Sequence, residues 1–442
     1  MSCPRTAVVL AGALLASCGG QPKRAVDAAH LVQVPIALPA PRAPEPTLTV
    51  AAVGDIMLGT DYPDNILPDD DGVGFLADVT PVLSAADIAF GNLEGVLMDG
   101  GKPVKRCGPA KMAPTATNVS ASNRRVAQVP GSAAGASAPQ LLDEDEATVN
   151  AEALTTSSAA TPSGSEPSGP AEQNAPDAVQ PPVTSGSCYV FRSPARYANY
   201  LRDAGFDVMS LANNHAQDFG DPGRDSSMQA LESVGIRHSG REGDVAEWNV
   251  QGRRVALVAF APNVGSHQLN DLVRAQEIVT ALAERNDIVI VSFHGGAEGE
   301  DASILPFTRE MFHGEDRGNV VEFARTVVDA GADLVLGHGP HVLRPLELYR
   351  DRLIAYSLGN FATYYGISVN GIRGLAGVLV ARLGDDGRFL DGRFESTIQI
   401  RPAGPTLDPA ARGAALLREL TALAFPQGAL RIEADGRILK TP

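Results

Sequence analysis

Five apolar, strand-like runs in this chain each end abruptly in glycine and chemically active side chains. Residues 50–53 run into Gly54-Asp55, and residues 88–90 into Gly91-Asn92-Leu93-Glu94-Gly95. Residues 208–212 run into Asn213-Asn214-His215, and residues 288–293 into His294-Gly295-Gly296-Ala297-Glu298. Residues 334–336 run into Gly337-His338-Gly339-Pro340-His341. In open α/β sheets, ligands bind at the carboxyl ends of the strands. Five such clusters therefore predict one shared pocket, and few folds can bring five strand ends together.

The pattern between the clusters fits that expectation. Strands are predicted over 48–53, 88–90, 206–211, 255–260, 287–293, 334–336 and 353–357. Helical periodicity covers 194–204, 225–234, 271–285 and 319–330, with Gly205 and Gly331 as stops. Such alternation argues an α/β layered fold with helices on the sheet faces. After residue 367 the pattern turns hairpin-like, with strands over 374–383 and 394–400 separated by Gly-Asp-Asp-Gly and Asp-Gly turns. A last helix is expected over 409–424.

Two segments fall outside the alternation. Residues 1–18 carry Arg5, an apolar run and the ending Leu15-Ala16-Ser17-Cys18. This reads as a lipoprotein signal peptide that leaves Cys18 lipidated, anchoring the chain to a membrane surface rather than across it. A proline-rich tether follows over 19–46. Residues 108–187 are rich in Ala, Ser, Pro, Thr and Gly, and their 3 basic against 8 acidic residues leave a charge of −5. They are expected to be a disordered insertion, because so little apolar surface cannot offset the entropy of ordering. Cys107 and Cys188 stand at its edges, and export would allow them to pair as a disulfide. The main domain is then 47–107 with 188–400, and 401–442 is a C-terminal extension with a helix. The net charge of −16 excludes a general nucleic-acid binder, which needs a basic face.

Carboxylates, amides and imidazoles without thiolates suit a divalent ion such as manganese, zinc or iron, and argue against a structural zinc site. His30, His238, His267 and His313 stand in the tether or in loop-like contexts and are read as structural. Met57 is read as packing under the sheet. Asp218 and Arg224 are read as closing a turn after His215.

Taken in order, Val53-Gly54-Asp55-Ile56-Met57-Leu58-Gly59, Gly91-Asn92-Leu93-Glu94, Ser210-Leu211-Ala212-Asn213-Asn214-His215, Gly337-His338-Gly339-Pro340-His341 and Tyr356-Ser357-Leu358-Gly359-Asn360-Phe361 resemble the CapA, or poly-gamma-glutamate capsule, family. That family is similar to calcineurin-like metallophosphoesterases. The resemblance spans about 48–365, interrupted by the insertion. It implies a four-layer α/β/β/α metallophosphatase-like sandwich. It implies metal-binding roles for Asp55, Asn92, Glu94, Asn214, His294, His338 and His341, with His215 and Asp55 catalytic. His215 would serve the leaving group. Asn213, Glu298 and Asn360 are the candidates for touching substrate. The chain departs from the phosphoesterase pattern where Asp-x-His reads Asp55-Ile56-Met57, where Asn92 stands at the bridging aspartate, and where the closing histidines are spaced His338-Gly-Pro-His341. One or two ions are compatible with this set.

Two functions follow from the resemblance. One is an exported, metal-dependent hydrolase or phosphoesterase in capsule polymer biosynthesis. The other is a non-catalytic envelope lipoprotein that binds, exports or anchors the polymer. The expected partners are the polymer or a phosphoester, the membrane through the lipid, and capsule-synthesis membrane proteins. The expected location is the cell envelope, on the periplasmic or outer face.

Overall fold

A computed structural model describes residues 47–105 and 189–441. The signal peptide, the tether, Cys18, Cys107, Cys188 and the insertion lie outside the described residues. No helix among the described residues is long and apolar enough to cross a membrane.

Two sheets carry the fold. The first runs, in spatial order, Leu430–Ile432, Arg437–Lys440, Phe389–Gln399, Leu375–Gly384, Thr47–Met57, Ile88–Leu93, Val208–Ser210 and Arg237–Ser239. Its strands from Thr47–Met57 to Arg237–Ser239 are parallel, and the others add antiparallel. The second runs Leu346–Tyr349, Arg352–Ala355, Leu334–His338, Ile288–His294, Arg253–Ala261 and Ala246–Val250, parallel in the middle and antiparallel at both edges.

The alternation of side chains along a strand explains the layering. Val50 and Ala52 point to one face of the Thr47–Met57 strand, where they pack with Phe90, Leu257, Ile290 and Leu336 in a core shared by both sheets. Ala51 and Val53 point the other way, onto Leu83, Leu201 and Leu231 of the helical layer. In the second sheet Val258, Val291 and Val335 meet Val279, Leu282, Phe323 and Val327 of helices Leu272–Ala283 and Val320–Asp329. The order is helix, sheet, sheet, helix. Burial on both faces is why the central strands read as continuous apolar runs rather than alternating ones.

Local chemistry sets the helix ends. Asp271 and Asn319 cap their helices by accepting from the Arg274 and Glu322 N–H groups. Gly205 and Gly331 stop theirs at φ +97° and +114°, a left-handed conformation that glycine adopts without strain. The helix expected over 225–234 is Gly220–Ser233 and starts five residues earlier. The expected C-terminal extension is part of the fold. Strands Pro405–Leu407, Leu430–Ile432 and Arg437–Lys440 join the first sheet, and Leu417 and Leu420 of helix Arg412–Ala424 enter the shared core.

Candidate metal centre

The strands run further than their apolar stretches predict. The first reaches Met57, the Ile288 strand reaches His294, and the Leu334 strand reaches His338. Asp55, His294 and His338 therefore sit on rigid strand ends rather than in loops. His294 and His338 are register partners on adjacent parallel strands. Asp55 and Asn92 are partners in the other sheet, with a register irregularity just before them. A short strand, Asn360–Thr363, lies parallel to the end of Thr47–Met57 and brings Asn360 beside Asp55. The two backbones meet closely here: the Asp55 N–H donates to the Gly359 carbonyl at 2.9 Å. A Cβ on Gly54 would lie 1.9 Å from that same oxygen, so the position requires glycine.

Three histidines converge on the Asp55 and Glu94 carboxylates. His341 Nδ1 lies 3.1 Å from Asp55 Oδ2 and 3.0 Å from Asn360 Oδ1. Its Nε2 lies 3.6 Å from Glu94 Oε1 and 3.8 Å from Glu298 Oε2. His294 Nε2 is 3.6 Å from Glu94 Oε1, and His338 Nδ1 is 3.5 Å from Asp55 Oδ1. Asp55, Glu94 and His341 each offer a ligand atom within 4.8 Å of the others. Two ligands of one tetrahedral ion with bonds of roughly 2.0–2.1 Å stand about 3.3 Å apart, and the 3.5–3.8 Å separations, too long for good hydrogen bonds, are close to that spacing.

Electrostatics tests the fit independently. Both Glu94 oxygens, both ring nitrogens of His294 and of His338, and Asn214 Oδ1 are buried without a hydrogen-bond partner. Each such group costs about 1–3 kcal/mol unless something satisfies it. Burial and the neighbouring Asp55 push the Glu94 carboxyl up to about 7. Burial works to raise Asp55 too, but its contacts with His338 and His341 outweigh it and hold the carboxyl well below the usual range. Burial opposes a charge on His341, yet Glu94, Asp55 and Glu298 raise it to about 10. Burial, and then the Arg317 charge, hold His294 well below its ordinary value and keep it neutral, whereas His341 would have to release its proton to ligate. The donor set fits a divalent ion.

Asn92 does not join that set. Its Nδ2 donates to Asp55 Oδ1 at 2.9 Å and its Oδ1 accepts from Asn213 at 3.2 Å, so the amide is hydrogen-bonded at both ends and positions Asp55. Asn213, expected to face substrate, instead spends its amide on Asn92, the Leu93 carbonyl and the His215 N–H. Asn360 donates to the carbonyls of His341, Ser368 and Arg373, and thereby orients His341. Glu298 does face the cleft, held by Arg317 Nη2 at 2.6 Å. Met57 is buried against Phe191 and Ile367, as a packing residue would be.

His215 borders a cleft of about 440 Å³ together with Asn214, Glu298, His341, Lys105, Phe191 and Arg317. Its Nδ1 is 2.7 Å from Asp218 Oδ2, and the carboxylate also accepts from the Phe191 N–H at 2.8 Å. Asp218 is thus the partner that orients the ring, a role the turn reading missed. The three-residue spacing, which puts both side chains on one face of a turn, was the available signal. Lys105 balances Asp218 Oδ1 at 3.1 Å. Nothing in the local sequence marks Lys105 or Arg317, because each reaches the cleft through tertiary structure.

A family model described as bacterial capsule synthesis protein PGA_cap matches residues 49–129 and 132–365. The capsule biosynthesis protein CapA of Bacillus anthracis is 31% identical over 181 residues, 36% of this chain and 41% of that protein. The PGA biosynthesis protein CapA of Bacillus subtilis (strain 168) is 30% identical over 241 residues, 50% of this chain and 58% of that one. This chain thus spans about half the length of the curated relatives it matches. Among solved structures, a putative 5'-nucleotidase from Staphylococcus aureus in complex with alpha-ketoglutarate aligns with a TM-score of 0.31 at 15% identity, covering 50% of this chain and 43% of that one. A 5'-nucleotidase precursor from Thermus thermophilus aligns with a TM-score of 0.28 at 17% identity, covering 52% and 46%.

Proposed function

Because this chain belongs to the bacterial capsule synthesis family PGA_cap, we propose that it acts in capsule polymer biosynthesis of the poly-gamma-glutamate type, as a divalent-metal-dependent hydrolase with a phosphoesterase-like site. The observation that carries the reading is the set of buried, unpartnered ligand atoms on Glu94, His294 and His338 around the Asp55–His341 pair. Asp55, Glu94, His294, His338 and His341 would hold the ion, and Asn214 Oδ1 is a further candidate. A bound divalent ion lowers the pKa of water and polarises the bond to be cleaved.

The chain's own groups supply the rest. Asp218 fixes the His215 ring through Nδ1, which leaves Nε2 to give a proton to a leaving group in the cleft. Arg317, almost wholly buried, holds Glu298 toward His341 and sets the mouth of the site. Phe191 stacks against His215 with ring centroids 4.3 Å apart and shields it from water. The proposal extends to location. The Leu15-Ala16-Ser17-Cys18 ending supports export and a lipid anchor at the cell envelope, where the polymer and capsule-synthesis membrane proteins would be its partners.

The test is metal content by elemental mass spectrometry, beside turnover of phosphoester and poly-gamma-glutamate substrates. Metal bound by the wild type, lost in His294→Ala, His338→Ala, with turnover lost in His215→Ala, supports the reading. Turnover unchanged in both His215→Ala and His294→Ala sinks it.

A further inference from the structure

Arg224 is a cation without a counter-ion. It lies in helix Gly220–Ser233 and only 2% of it is exposed. Its Nη1 donates to the Gly265 carbonyl at 2.6 Å, while its Nε is buried with no partner. The nearby carboxylates are committed elsewhere. Asp225 is paired with Arg241, Asp221 accepts from Gln217, and Asp244 faces His238. Among the described residues no carboxylate lies within ion-pair distance of the Arg224 guanidinium. A guanidinium cannot shed its proton, so burying one without a paired carboxylate is unfavourable.

The guanidinium borders a pocket of about 250 Å³ on the far side of the His215 turn, with Lys105, Asn214, Gln217, Asp218 and Asn263. Lys105 pairs with Asp218 at 3.1 Å, and Asp221, Asp225 and Asp244 act on Arg224 only from beyond ion-pair distance, so Arg224 is the cation of this lining with no carboxylate in contact. We infer that this pocket binds a carboxylate group, with the Arg224 fork as its principal contact. A planar guanidinium matches the two oxygens of a carboxylate, and the carboxylates already near Arg224 disfavour a phosphate dianion more than a monoanion. The inference goes beyond the metal-centre reading and does not depend on it.

The test uses the purified full chain treated with chelator, so that failure of the metal reading leaves it unaffected. Thermal unfolding and titration calorimetry are run with N-acetylalanine, its neutral amide and inorganic phosphate. N-acetylalanine should raise the unfolding temperature and the amide should not. Arg224→Met should bind N-acetylalanine at least about tenfold more weakly. With no ligand it should be no less stable than the wild type, because it removes an uncompensated buried charge. Arg224→Lys keeps the charge without the fork, and its weaker binding tests the same point should Arg224→Met not fold. An equal response in the wild type and both variants overturns the inference. So does no wild-type response in the tens of millimolar. A response to phosphate exceeding that to N-acetylalanine overturns the ligand class.

Discussion

Replacing Glu94 with glutamine should stabilise the metal-free protein at alkaline pH and weaken the stabilisation that metal brings. Glu94 is 1% exposed and neither of its oxygens has a hydrogen-bond partner. Burial and Asp55 raise its carboxyl from 4.5 to about 7. With the folded value above the unfolded one, the group's contribution to stability is present below pH 4.5 and lost as the pH rises through 7. The loss amounts to about 3 kcal/mol at pH 8 in metal-free protein. Glu94→Gln removes it, so the chelated variant should exceed the wild type by about 2–3 kcal/mol at pH 8, and the advantage should vanish near pH 4. Metal at a hundredfold excess over its dissociation constant stabilises the wild type by about 2.7 kcal/mol. The variant, lacking an anionic ligand, should gain at least about 1.4 kcal/mol less, which corresponds to tenfold weaker binding. The assay is urea unfolding followed by fluorescence of Trp248, the chain's single tryptophan, at pH 4 and pH 8, with chelator or with manganese or zinc. A chelated variant less stable than the wild type at pH 8 would refute the electrostatic account. A metal gain equal to that of the wild type would refute the ligand role.

Three further perturbations test other parts of the argument. Asp218→Asn should lower turnover by at least about a hundredfold while leaving metal content unchanged, because it disturbs the His215 ring and not the ligands; lost metal would show that Asp218 supports the ligands instead. Gly54→Ala should cost about 3 kcal/mol in urea unfolding, since its methyl would sit on the Gly359 carbonyl; a cost under about 1 kcal/mol would mean the strands part easily. Burial pushes the Asp333 carboxyl to about 6, despite its contacts with the Val289 N–H and Arg352. Its stabilising contribution is therefore present below pH 3.8 and lost as the pH rises through 6. Asp333→Asn should remove about 3 kcal/mol of pH dependence across that range, and parallel stability curves for variant and wild type would count against it.

The sites with strong local chemistry were readable from one dimension. The Asp271 and Asn319 caps and the Gly205 and Gly331 stops mark helix ends close to where they stand. The clusters after the apolar runs named Asp55, Glu94, His294, His338 and His341, which all meet. Polar residues inside a strand were harder to see, because hydropathy stops at the first polar side chain while hydrogen-bonded pairing continues. The strands therefore run through Asp55, His294 and His338.

Residue order alone determined the layered α/β alternation, the family and the donor types at the strand ends. Those follow from periodicity and side-chain chemistry, which act locally. Tertiary structure decided which donors are free. Asn92 is spent on Asp55 and Asn213, Asn360 is spent on His341 and three carbonyls, and Asp218 is bound to His215. It also left Arg224 Nε without a partner and brought Arg317, on the strand Glu315–Gly318, to Glu298. Hydrogen-bond satisfaction and burial depend on groups distant in the chain, and only packing the two sheets face to face settles them.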